Sequence, residues 1–420
     1  MTAPTIPASE SVRQKQPAQQ SNQPEQPRRK HDRLITRDMA LVMLATFCFM
    51  SSNMLANPIV AGYAESLGAD GMLMGAVAGS MSFISLFCRP IAGNLSDKTS
   101  KRTLVAVGTV LYFAAGLLYY FANSPIMLIM ARVINGVGFA CCSVCLATWM
   151  SLLLPIRHMG AGMGLYGTMN ALAMAVGPAF GIRTQKYIGY RLTFLSSLVL
   201  AAIMLIATLM VKNGGQPVRK KQTSISATKK HRFSIRSILE PRVVPLSLTF
   251  MMFAIAYFAN QSFIVNYVQS RHLPVSSDLF FMFYAVALLV LRLGLRDLFD
   301  SKGFRFWLTV CSLGMLAMLA CMTFLFNDWM LLLAAIFTAV GYGLMSSVTQ
   351  AQAVVIAGRE RSGIANSTYY AGIDLGMSVG PFVGGLVYGR LSAVWFYPVF
   401  MLAMPVAWLI YLLCVKRVSR

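Results

Sequence analysis

Asp374, within YYAGIDLGMSVGP, is the one acid set in the middle of an apolar stretch of this chain. A carboxylate held in a low-dielectric interior takes up and releases a proton when its surroundings alternate between wet and dry. Arg132, within ARVINGVG, is a second charge inside an apolar stretch. Burying such groups is costly, which marks both as functional candidates for handling a proton. A plainer reading stands beside it: Asp374 is a structural partner of a cation such as Arg132, or a polar bond between helices. Arg89 and Arg292 fall near the ends of apolar stretches, where long side chains are expected to snorkel to the surface. Asn57, Asn170, Asn260 and Gln261 are polar candidates for a ligand pocket, with Tyr370 as an aromatic wall carrying a hydrogen-bonding tip. Each of these has the alternative role of bonding one helix to another.

The elements that must position these residues are membrane-spanning helices. The chain is 57% hydrophobic and 12% charged, with mean hydropathy +0.62, too apolar for a soluble domain of this length. Apolar runs long enough to cross a bilayer recur throughout, and the period-2 alternation of a β-barrel is absent. The expected fold is an all-α membrane protein with twelve transmembrane helices. Residues 1–37 form a disordered cytoplasmic tail rich in Gln, Pro and charge, 38–211 a first six-helix half, and 212–243 a basic cytoplasmic linker. Residues 244–415 form the second half and 416–420 a short cytoplasmic tail.

The net charge of +22 suggests nucleic acid until the charges are placed. With the start of the chain cytoplasmic, 28 of the 36 Lys and Arg fall on inner segments, which is the positive-inside pattern. Both termini are therefore expected in the cytoplasm, anionic lipid headgroups account for the remaining attraction, and no nucleic-acid partner is expected. All eight cysteines lie within predicted spans, which argues against an extracellular disulfide framework. Cys141, Cys142 and Cys145 share a helix face, and small residues filling a helix contact explain them better than a metal does. No nucleotide-binding loop or catalytic signature occurs, so neither a cofactor nor an enzymatic activity is expected.

The halves repeat each other. Asn57 and Asn260, Arg89 and Arg292, Asp97 and Asp300, Gly138 and Gly341, and the pairs Gly177-Pro178 and Gly380-Pro381 all share one offset of 203 positions. Five segments matching at a single offset define a parallel repeat of two six-helix units.

The stretch Gly93-Asn94-Leu95-Ser96-Asp97-Lys98-Thr99-Ser100-Lys101-Arg102 resembles the loop signature of the major facilitator superfamily, with Ser100 where glycine is usual. Its degenerate copy ends at Asp300. By that resemblance Gly93, Asp97, Lys98, Lys101, Arg102 and Asp300 form a latch that holds the cytoplasmic side closed; a solvated loop charge is the other reading of Asp97. Gly164, Gly177, Pro178 and Gly181 in span 5 resemble the superfamily's antiporter motif, and Gly376, Gly380, Pro381 and Gly384 repeat it in span 11. Small residues at this spacing allow close backbone approach, and proline bends the helix, as a sliding contact between halves requires; glycine-rich packing with no directional meaning is the other reading. Arg132 matches the arginine of a span-4 motif tied to proton movement in antiporters. The resemblance implies a monomeric secondary transporter of a small molecule in the plasma (inner) membrane, working by alternating access. The span-11 pattern points to bacterial proton-coupled exporters of drugs, sugars or metallophores. An uptake permease and a transporter-fold sensor remain alternatives.

Overall fold

The structure, a computed structural model, describes residues 36–154, 159–216, 239–295, 298, 302–358 and 361–418. The tail to residue 35, most of the expected linker and Asp300 lie outside these residues, as does the side chain of Asp97. Among the described residues all regular structure is helical. The first half holds α1 (Arg37–Ser66), α2 (Gly71–Lys98), α3 (Lys101–Phe121), α4 (Pro125–Leu153) and α5 (Met159–Met210). The second holds α6 (Val244–Ser270), α7 (Ser277–Gly294), α8 (Phe304–Thr323) and α9 (Asp328–Thr338), which runs through a π-helical turn (Ala339–Leu344) into α10 (Met345–Ala357). It closes with α11 (Ser362–Arg390), α12 (Phe396–Met401) and α13 (Ala403–Val418).

Polar side chains start these apolar helices. Thr36, Asp70, Ser124 and Asn327 accept from the backbone N–H groups of Met39, Leu73, Met127 and Met330 at 3.3, 2.8, 3.4 and 2.9 Å. Each satisfies a donor that a helix leaves open in its first turn. Among the described residues ten helical segments are long and apolar enough to cross a membrane. Within α5, Gly189 adopts φ 78°, a left-handed conformation that divides the 52-residue element into two spans. With α7 counted, the arrangement is consistent with twelve spans.

The repeat is visible in the packing. In the first half α1 lies against α5; in the second, α6 lies against α11 in the equivalent relation. Between halves, α2 packs on α11 and α5 on α7, again a matched pair of contacts. We call the face where α1 begins and α2 ends the near face, and the other the far face.

Gly177, Gly181, Gly376, Gly380 and Gly384 pack within their own halves rather than across the contact between them. A Cβ at Gly177 or Gly181 would meet Ser51, Met54 and Leu55 of α1, and one at Gly376 or Gly380 would meet Ala254, Ile255 and Ala259 of α6. Gly384 faces Phe263 and Phe396. These glycines consolidate each half internally. The contact between halves instead uses Gly71, Gly75 and Gly79 on α2, against Ser378, Pro381, Gly385 and Gly389 on α11. A methyl group added at Gly75 would lie 2.6 Å from the Pro381 carbonyl oxygen. Small residues one turn apart let two backbones approach in a membrane, where lipid supplies no hydrophobic drive.

Candidate functional site

Asp374 is 1% exposed on α11, and its partner is Arg89 of α2. Arg89 Nη2 donates to Asp374 Oδ1 at 3.0 Å, and Arg89 Nε faces Oδ2 in ion-pair contact. The side chain of Arg89 keeps 22% exposure and that of Asp374 2%. By helical rise the carboxylate lies about 24 Å in from the far-face end of α11, beyond the glycine contact. Arg89 therefore does not snorkel free; it reaches across to the other half. Its guanidinium sits 5.3 Å from the ring centre of Phe139 on α4 and 5.9 Å from that of Tyr370. Two aromatic faces thus share the charge with the carboxylate. Among the described residues this is the one ion pair between halves whose carboxylate is fully buried.

Arg132 is not Asp374's cation. It is 2% exposed and held entirely by neutral acceptors: Asn57 Oδ1 at 3.2 Å from both terminal nitrogens, the Ala78 carbonyl at 2.6 Å and the Val77 carbonyl at 3.3 Å. It ties α4 to α1 and α2 inside the first half, and it occupies the acceptor of Asn57 in doing so. Asn260, the repeat counterpart of Asn57, accepts from Tyr397 at 2.9 Å. Gln261 points its amide at Met54 Sδ across the α1–α6 contact, 3.7 Å away. Asn170 donates to the Tyr166 carbonyl of its own helix at 3.1 Å. Of the five polar candidates the structure brings only Tyr370 to the Arg89–Asp374 pair.

On the far face the halves are stitched by Glu65 of α1. Asn266 Nδ2 of α6 donates to Glu65 Oε2 at 2.5 Å, and the Tyr388 hydroxyl of α11 donates to Oε1 at 3.4 Å. Arg183, which is exposed, and Asp278, which is half-buried, add a pair at 3.9 Å. On the near face the loop-signature cations work within the first half. Lys101 Nζ donates to the Ser96 carbonyl, and Arg102 to the carbonyls of Val211 and Lys212. Lys98 is exposed, and a Cβ at Gly93 would meet nothing within 4 Å. Ser100 Oγ bonds the Gly214 carbonyl at 2.8 Å, so the loop docks on the exit of α5. Cys142 lies against Gly108 of α3, as a small packing residue does.

Sequence reasoning assigned Arg89 to the membrane surface and missed the α2 glycines. The glycines carried a signal, since Gly71, Gly75 and Gly79 recur every fourth residue. Arg89 carried only its repeat relation to Arg292, which does not name a partner.

The structure is thus a two-half helical membrane bundle with a buried ion pair between the halves. The chain belongs to the Major Facilitator Superfamily, which it matches over residues 42–328 and 303–420. It is 22% identical over 373 residues to an MFS-type transporter of Methanocaldococcus jannaschii, covering 86% of this chain and 92% of that protein. It is 25% identical over 172 residues to the synaptic vesicular amine transporter of Homo sapiens, spanning 41% of this chain and 33% of that one. In Arabidopsis thaliana, an SPX domain-containing membrane protein is 32% identical over 169 residues, 39% of this chain and 24% of its own length. The fold is that of the nucleoside transporter NupG (TM-score 0.69, 15% identity, 90% of this chain and 100% of that chain). It is likewise that of a peptide transporter POT crystallised with sulfate (TM-score 0.71, 14% identity, 90% and 94%). The protein is a multi-pass membrane transporter that moves its substrate by secondary transport.

Proposed function

We propose that this transporter exports a small molecule across the plasma membrane in exchange for protons, with both chain termini in the cytoplasm, and that the Arg89–Asp374 pair is the coupling element. The observation that carries the reading is the position of that pair: a buried carboxylate on one half bonded to an arginine on the other. Protonation of Asp374 cancels its charge and leaves Arg89 without a counter-ion, so the cross-link between α2 and α11 weakens. Loss of the proton restores it. A group whose charge decides whether two halves hold together links proton movement to the exchange between inward- and outward-open states.

Arg132 serves this site from behind. By binding Asn57 and the α2 carbonyls of Val77 and Ala78, it fixes the helix that carries Arg89. The near-face loop with Asp97, Lys101 and Arg102 acts as the latch of the other state, as the resemblance of its signature implies. The far face, stitched by Glu65 and the α2–α11 glycines, is the extracellular side and is closed here. The protein works as a monomer, and the substrate passes between its halves, with Asn57, Asn170, Asn260, Gln261 and Tyr370 on the elements that flank its path.

Transport in inside-out vesicles tests the reading. An imposed acidic lumen should drive net accumulation of a labelled substrate, which in the cell means export. Equal accumulation with and without the gradient would reduce the protein to a facilitator, and accumulation opposed by the gradient would make it an uptake system.

A further inference from the structure

The two halves treat their matched arginines differently. The offset that carries Arg89 onto Arg292 carries Asp374 onto Ala171. The matched contacts between halves therefore pair an arginine-bearing helix with an acid-bearing one, α2 with α11, and an arginine-bearing helix with one that has alanine at the acid's position, α7 with α5. Among the described residues Arg292 has no hydrogen-bond or ion-pair partner, and its Nε is buried without an acceptor. Arg292 is half-buried, and a guanidinium held within a membrane span without a counter-charge is expensive.

The surroundings of Arg292 are built. Tyr284 stands eight residues before it on the same helix, hence on a similar face. The rings of Tyr284, Tyr342 and Tyr369 all lie within electrostatic reach of the guanidinium. Tyr342 belongs to the π-helical turn, an irregularity that occurs preferentially at functional sites. It stacks on Tyr257 at 4.0 Å with the ring planes 1° apart, and Tyr257 shares a side-chain hydrogen bond with Tyr284.

We propose that Arg292 binds an anionic oxygen group of the transported molecule, so that the substrate class is an amphipathic organic anion bearing a carboxylate or a phosphate. This rests on the reading of the protein as a small-molecule transporter and not on the direction or coupling of transport. The ligand supplies from outside the counter-charge that Asp374 supplies to Arg89 from within. The planar fork of arginine suits such groups because two parallel N–H donors meet two oxygens. A cationic molecule is repelled from the same place, and a neutral one leaves the guanidinium uncompensated.

The test is thermal unfolding of the purified full chain in detergent with benzoate, phenyl phosphate and the neutral analogue benzamide. At least one anion should raise the midpoint while benzamide does not, and the anion preferred distinguishes carboxylate from phosphate. Arg292→Gln should weaken the stabilising anion by about tenfold or more, with Arg292→Lys between it and the wild type, since lysine keeps the charge and loses the fork. Stabilisation by benzamide equal to that by the anions would overturn the proposal, as would an anion effect that survives Arg292→Gln. No effect from either anion, or an effect only from phosphatidylglycerol, would also overturn it, the latter by assigning Arg292 to a lipid headgroup. Should anions bind as expected while vesicle transport ignores the pH gradient, the coupling fails and the anion site stands.

Discussion

Arg89 and Asp374, 285 residues apart in the sequence, meet inside the membrane bundle and form the buried ion pair between its two halves. If this pair carries the coupling proton, Asp374→Asn keeps the shape and a hydrogen-bonding end but cannot ionise. Gradient-driven transport should be abolished in that variant, while exchange of labelled for unlabelled substrate down its own gradient persists. The comparison is made in one vesicle preparation. Unaltered proton-driven transport at normal expression would remove Asp374 from the mechanism.

The same pair predicts a pattern in stability. Removing either partner strands a charge, which for a buried pair costs about 3–5 kcal/mol. Arg89 retains part of its exposure, so the single variants Arg89→Gln and Asp374→Asn should fall at the low end of that range or below it. The double variant should be more stable than the sum of the two, because neither leaves an uncompensated charge. Thermal unfolding of the four proteins gives the coupling directly; additive effects would mean that the two side chains do not depend on each other.

Gly79 packs against Ser378 across the contact between halves, and a Cβ there would press on the Ser378 carbonyl. Gly79→Ala should therefore disfavour the far-face-closed state. Overpacking of this size costs about 1–3 kcal/mol, enough to shift the populations by about tenfold. A cysteine placed at Asn266, buried beside Glu65 in the closed state, should react faster with a bulky thiol reagent in the Gly79→Ala background. Unchanged reactivity would show that this contact does not hold the far face shut.

Orientation follows from the distribution of basic residues. A cysteine near Thr223 should react with an impermeant thiol reagent only after the membrane is opened, and one at Ser276 should react in intact cells. The reverse pattern would invert the assignment of near and far faces and with it the direction proposed for transport.

Much of the fold is legible in the chain because the membrane imposes it. Backbone groups without water must bond within their own helix, so apolar length reports the spans, and a fixed offset between matched residues reports the two halves. Polar caps such as Asp70 and Asn327 mark the starts of helices for the same local reason. Asp374 and Arg132 stood out as charges placed where charges are costly, and both are fully buried.

What those charges touch was decided only by tertiary packing. Hydropathy fixes that a helix crosses, but it does not fix its rotation about its axis, and in lipid every face of an apolar helix is equally acceptable until a neighbour is chosen. Arg132 turned to Asn57 and the carbonyls of α2 rather than to Asp374, and Arg89 turned inward rather than to the surface. The motif glycines faced their own half, while Gly71, Gly75 and Gly79 faced the other. The repeat determined which residues are equivalent. Only the assembled bundle determined that equivalent arginines, Arg89 and Arg292, differ in having a counter-charge, because the acid that pairs with one is an alanine in the helix opposite the other.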